Sequence, residues 1–143
     1  MLLDNKLIFG QEVSLVGVDP GMFIVGDKFI NIDMAGDALD ELYATIIVGS
    51  EEIVIEGTAE TPSVIVGLLG VESESGEPSL DDLKFHMLTG PFGFPVAANT
   101  VLLTGRIPKG IGRHIAAAII LPEDGTITSG KVTAYLSKNP EKI

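Results

Sequence analysis

The sequence predicts an all-β fold, a sandwich or barrel of about eight short antiparallel strands in one domain. Three observations carry that prediction. Helical periodicity is nearly absent, and β-branched and apolar residues instead alternate or run in blocks. Turn signals such as Asp19-Pro20-Gly21, Ser75-Gly76-Glu77-Pro78 and Glu123-Asp124-Gly125 divide those blocks at near-regular spacing. The 143 residues are enough for one domain with a real core.

In chain order, residues 1–11 read as an extended N-terminal arm, 12–137 as the sandwich domain and 138–143 as a C-terminal tail. Strands are expected over 12–18, 22–33 (with a break near Gly26-Asp27), 42–48, 52–56, 63–72, 82–88, 98–107, 113–121 and 127–136. The segment 38–44 is the one acceptable helix candidate, and it is short. Tyr43 and the β-branched run after it read better as strand.

Strand faces follow from the two-residue period. In 82–88, Leu83, Phe85 and Met87 point one way while Lys84 and His86 point the other. In 101–107, Val101, Leu103 and Ile107 face in, with Thr104 and Arg106 out. In 131–136, Val132, Ala134 and Leu136 face in, with Lys131, Thr133 and Tyr135 out. Strand 113–121 has no polar row: Arg113, Ile115, Ala117, Ile119 and Leu121 lie on one face, and His114, Ala116, Ala118 and Ile120 lie on the other. Something must cover its second face. Either a segment of the same chain lies over it, or a second copy or another protein does.

Composition removes several function classes. There is no cysteine, so thiol nucleophiles, disulfides and zinc-thiolate sites are excluded. A net charge of −11 argues against phosphate-driven binding of nucleic acid and against an anionic membrane surface. The uncharged run 87–105 is long enough for a bilayer, but Pro91, Pro95, three glycines and Asn99 break any helix there, so it reads as loop plus strand. The opening MLLDNKLIFG carries Asp4 and no small-residue cleavage site, so no signal peptide is expected. Charge is uneven: residues 1–82 hold 17 acids against 2 lysines, and residues 83–143 hold 3 acids against 7 bases. The halves either attract one another within one fold, or present a basic patch to a partner.

Catalytic patterns are weak. His86 and His114 are isolated, with no His-x-His pair and no carboxylate at ligand spacing on the same strand. Ser14, Ser50 and Ser129 sit in no nucleophile elbow. The acid pairs Asp40-Glu41, Glu51-Glu52 and Asp81-Asp82 point to opposite faces of their strands, so they read as edge charges that discourage aggregation. Lys109 to Arg113 reads as a glycine-bearing hairpin turn before it reads as an anion nest. The expectation is a protein that is not an enzyme and takes no cofactor or metal.

Three stretches carry a resemblance. MLLDNKLIFGQEVSL, with Leu3, Asp4, Leu7, Phe9 and Gln11, is similar to the opening of a family of tailed-phage capsid cement (decoration) proteins. RIPKGIGRHIAAAII resembles that family's penultimate hairpin, and TITSGKVTAYL resembles its last strand. Residues 34–80 match only as a pattern of strands. His114 stands where the family more often has an aromatic, and the acidic segment 70–82 is longer and more charged than the family pattern.

The resemblance implies a jelly-roll β-sandwich bound to the outside of an icosahedral shell of major capsid protein, where it reinforces contacts between subunits. It implies a virion location on the capsid exterior, after assembly in the host cytoplasm. Partners are then the shell and other copies of the chain, as a dimer or trimer, with no nucleic acid and no membrane. The expected contact residues are Leu2, Leu3, Ile8 and Phe9 of the arm, the basic group Arg106, Lys109 and Arg113, and His114, Ala116 and Ala118 of the two-sided strand. The alternative is a carbohydrate- or receptor-binding sandwich of a phage tail or cell surface. The absence of Trp, with only Tyr43 and Tyr135 as tyrosines, counts against it.

Overall fold

Alternating apolar residues from two antiparallel sheets interlock to form the core. The computed structural model describes residues 8–18, 21–27, 30–31, 43–57, 63–71, 84–107, 114–122 and 125–137. Its strands are β1 (Ile8–Ser14), β2 (Gly21–Ile24), β3 (Ile30–Asn31), β4 (Tyr43–Val48), β5 (Val54–Glu56), β6 (Ser63–Val71), β7 (Lys84–Gly93), β8 (Val101–Arg106), β9 (His114–Leu121), β10 (Thr126–Ser129) and β11 (Lys131–Ser137). A 3-10 turn, Val25–Asp27, separates β2 from β3, and no α-helix occurs among the described residues.

The first sheet has the order β1-β11-β4-β8 and the second β2-β9-β6-β7, with β3 also pairing with β9. The short strands β5 and β10 pair separately at one end. Every pairing is antiparallel. Counting β2 and β3 as one interrupted strand and setting the β5–β10 pair aside leaves eight. The chain then crosses between sheets at every connection except β6 to β7, which is the wrapping of a jelly-roll-like sandwich.

From β4, the core takes Ala44, Ile46 and Val48; from β11, Val132, Ala134 and Leu136. Facing them are Val64, Val66 and Leu68 of β6 and Ile115, Ala117 and Ile119 of β9. Each fully buried large side chain contributes about 1.5–3 kcal/mol before entropy is subtracted.

Four expectations change. Residues 8–11 are not arm. They belong to β1, which pairs with β11, and Phe9 sits in the core at 2% exposure. Leu2 and Leu3 lie outside the described residues. Strand β7 runs on to Gly93, so the first part of 87–105 is strand and not loop. Pro91 is tolerated there because β7 is an edge strand. The single strand expected over 127–136 is two, broken at Gly130. Gly130 has φ 144, and a Cβ there would stand 3.1 Å from the Ile53 backbone. Finally, Phe85 and Met87 do not share a face, for a reason given below.

Candidate interaction surface

The outer faces of the two sheets differ in chemistry. On the first sheet Tyr135, Thr45 and Thr104 stand abreast on β11, β4 and β8, and Ser137, Tyr43 and Arg106 form the next row. The Thr45 and Thr104 hydroxyl oxygens are 3.5 Å apart. The Glu12 N–H donates to the Thr133 hydroxyl at 3.0 Å. Thr45, Tyr135 and Ser137 are buried, while Thr104 and Arg106 are exposed. These two rows carry hydroxyls and end in a cation, whereas Ile47 and Val101 stand beside Thr133 in the row on the other side of Thr45.

The second sheet has no such row. Met22, Ile120 and Ile65 line up across β2, β9 and β6, and Ile24, Ala118 and Gly67 form the row beside them. Next come Ala116, Leu69 and Phe85 on β9, β6 and β7. No charged residue lies on this face among those described. Its centre is sealed within the chain itself: Leu69, Ala116 and Ala118 form a second apolar cluster, each at 0% exposure, with Ile24 packed against them. Its rim is open, with Met22 at 44%, Phe85 at 40% and Leu88 at 56%.

A β-bulge puts Leu88 on that rim. In the β6–β7 register Leu68 pairs with His86 and Val66 with Thr89, so Met87 and Leu88 together oppose Gly67. Met87 takes a positive φ of 53 and packs against the main core. The inserted residue advances the alternation by one, so Leu88 joins Phe85 on the outer face. Strict alternation over 82–88 therefore fails at Met87.

One end of the sandwich is acidic. Glu12, Glu51, Glu52 and Glu56 are exposed there, with Lys131 held to Glu51 at 3.3 Å. The Glu12 carboxylate accepts the Ser50 N–H at 3.1 and 3.2 Å. Gly49 makes room for it, because a Cβ there would meet the Glu12 carboxylate.

Those of the expected contact residues that are described do not share one open surface, and Leu2, Leu3, Lys109 and Arg113 lie outside the described residues. Phe9 is in the core and Ile8 is a half-buried sheet residue paired with Tyr135. Ala116 and Ala118 are fully buried, so they have no area left for a partner; the face of β9 that lacked a polar row is closed inside the chain. His114 is buried at 4%, and its Nδ1 has no hydrogen-bond partner among the described residues. Among the described contact residues only Arg106 is exposed, at the end of edge strand β8.

Sequence reasoning missed Met22, Phe85 and Leu88. The signal available was large apolar side chains in short strands, but which strands form edges and where a bulge falls depend on distant pairing partners. Among the described residues no group of three or more His, Asp or Glu could hold a metal ion, and no helix is long and apolar enough to cross a membrane. No protein-family model and no curated protein matches the chain.

Proposed function

We propose that this chain is a structural virion protein that binds the outer surface of an icosahedral phage capsid and reinforces contacts between major capsid proteins. One observation carries the reading: an outer sheet face with no charged residue among those described, sealed at Leu69, Ala116 and Ala118 and open at Met22, Phe85 and Leu88. Open apolar side chains around a closed centre suit contact with another protein surface. The jelly-roll-like wrapping agrees with the resemblance at the two chain ends, although a fold of this kind hosts many functions.

The role requires no reaction and no cofactor. It places the protein on the capsid exterior after assembly in the host cytoplasm, with copies meeting one another on the shell. A carbohydrate platform has less support: the chain has no Trp, and of its two tyrosines Tyr135 is 4% exposed and Tyr43 half-buried. The test is co-sedimentation with assembled shells and, separately, with unassembled capsid protein. The reading expects strong retention on shells and little on the free subunit, because later contacts on a lattice become effectively intramolecular. Equal binding to both, or to neither, overturns it.

A further inference from the structure

We propose that the open rim of the second sheet, Met22 on one edge and Phe85 with Leu88 on the other, is the surface that seats this chain. Its occupant is a repeating protein lattice offering two apolar recesses. The inference rests on the shell-binding reading and adds which side chains make the contact and why a second copy in solution is not the occupant.

Two ways of pairing with a second copy are disfavoured by the structure. The first is strand addition at the free edge of β7. That edge is blunted: two register irregularities, one of them the bulge at Met87, distort it, and Pro91 has no N–H to donate. The apolar side chains of β7 are therefore presented on an edge that resists backbone pairing.

The second is a dimer through the rim itself. Met22, Phe85 and Leu88 expose 44%, 40% and 56% of their surfaces. Each leaves roughly 100 Å2 in reach, against about 800 Å2 per partner in a stable pairwise interface. The exposed area is also divided: β2 and β7 are three strand spacings apart, about 14 Å, with half-buried Ile120 and Ile65 and the sealed Leu69, Ala116 and Ala118 between them. Two small footholds at a fixed separation hold weakly on one partner and well on a lattice, where the first contact raises the effective concentration of the second. The absence of charge on this face among the described residues makes the contact insensitive to salt.

The experiment uses the full-length chain, its Leu88→Glu, Phe85→Ser and Met22→Ser variants, and Val16→Ser as a control. Val16 is as exposed as Leu88, at 54%, but lies in the loop after β1. The probe is an empty shell of the major capsid protein from the genome that encodes the chain. Circular dichroism first establishes that each variant folds, and sedimentation velocity gives its state in solution. The expected result is a monomeric parent that fills shells, about tenfold weaker filling by Leu88→Glu, lesser losses for the two serine variants, and none for Val16→Ser. High salt leaves the ranking unchanged. Folded rim variants that fill shells like the parent overturn the surface assignment while the shell reading stands. A dimeric parent made monomeric by Leu88→Glu overturns the choice of occupant. A parent that does not bind shells overturns both.

Discussion

Leu69 and Phe85 are direct cross-strand neighbours on β6 and β7, yet Leu69 is wholly buried while Phe85 is 40% exposed. The boundary between a closed apolar layer and an open one runs between these two side chains. It separates residues that hold the fold from residues available to a partner, and substitutions on its two sides should differ accordingly.

Ala116→Glu and Ala118→Glu place a carboxylate where there is no exposed surface. Each should cost at least about 3 kcal/mol and lower the melting temperature sharply, because the charge has neither water nor a partner. Leu88→Glu, at an open position, should stay within about 0.5 kcal/mol of the parent. Thermal denaturation distinguishes the sites. Parent-like melting of both alanine variants would mean that the centre of this face is open in solution.

Phe9→Ala should destabilise the protein by about 3–5 kcal/mol, as for a large core side chain. Deleting residues 1–9 removes Ile8 and Phe9 from β1 and should act on the fold before it acts on any partner. Chemical denaturation of the point variant checks this; a midpoint equal to the parent's would return Phe9 to a detachable arm.

Gly26 has φ 69, and a Cβ there would meet the carbonyl oxygen of Phe9. Gly26→Ala therefore meets both a backbone penalty and a collision with β1, and should cost about 2 kcal/mol or more. By contrast Glu51→Ala removes an ion pair whose two side chains are 36% and 50% exposed, and should cost under about 1 kcal/mol. Denaturant titrations of both variants should show that order, and its reversal would mean that the turn at Gly26 yields without strain.

His114 is buried and its Nδ1 has no hydrogen-bond partner among the described residues; a buried polar atom left unsatisfied costs about 1–3 kcal/mol in a typical interior. His114→Phe removes that polar atom and should leave the melting temperature equal or higher, with shell binding unchanged. A strong loss of stability would show that Nδ1 has a partner in solution.

Local patterns were legible where they were strong. The largely apolar runs at 43–48, 63–71 and 114–121 lie within a residue of the expected boundaries, and the inward rows of β4, β9 and β11 follow the two-residue period. The need for a cover over Ala116 and Ala118 could also be read from the sequence, since no polar residue stands on that side. Which molecule supplies the cover could not, because the answer depends on packing across the sheet. Phe9 reads as arm from sequence for the same reason: its neighbours Ile8 and Gly10 pair with Tyr135 and Ala134, about 125 positions away in the chain. The bulge at Met87 has no local signature beyond a residue that tolerates positive φ poorly, so the side occupied by Leu88 was hidden.

The most direct test of the reinforcing role is the temperature at which shells open, measured by calorimetry or light scattering with and without a saturating amount of this chain. A ligand that binds the assembled shell and not its subunits stabilises the assembly by mass action. The account predicts that decorated shells open at a higher temperature, and that Leu88→Glu at the same concentration gives a smaller rise. Fully decorated shells that open at the temperature of bare ones would contradict it.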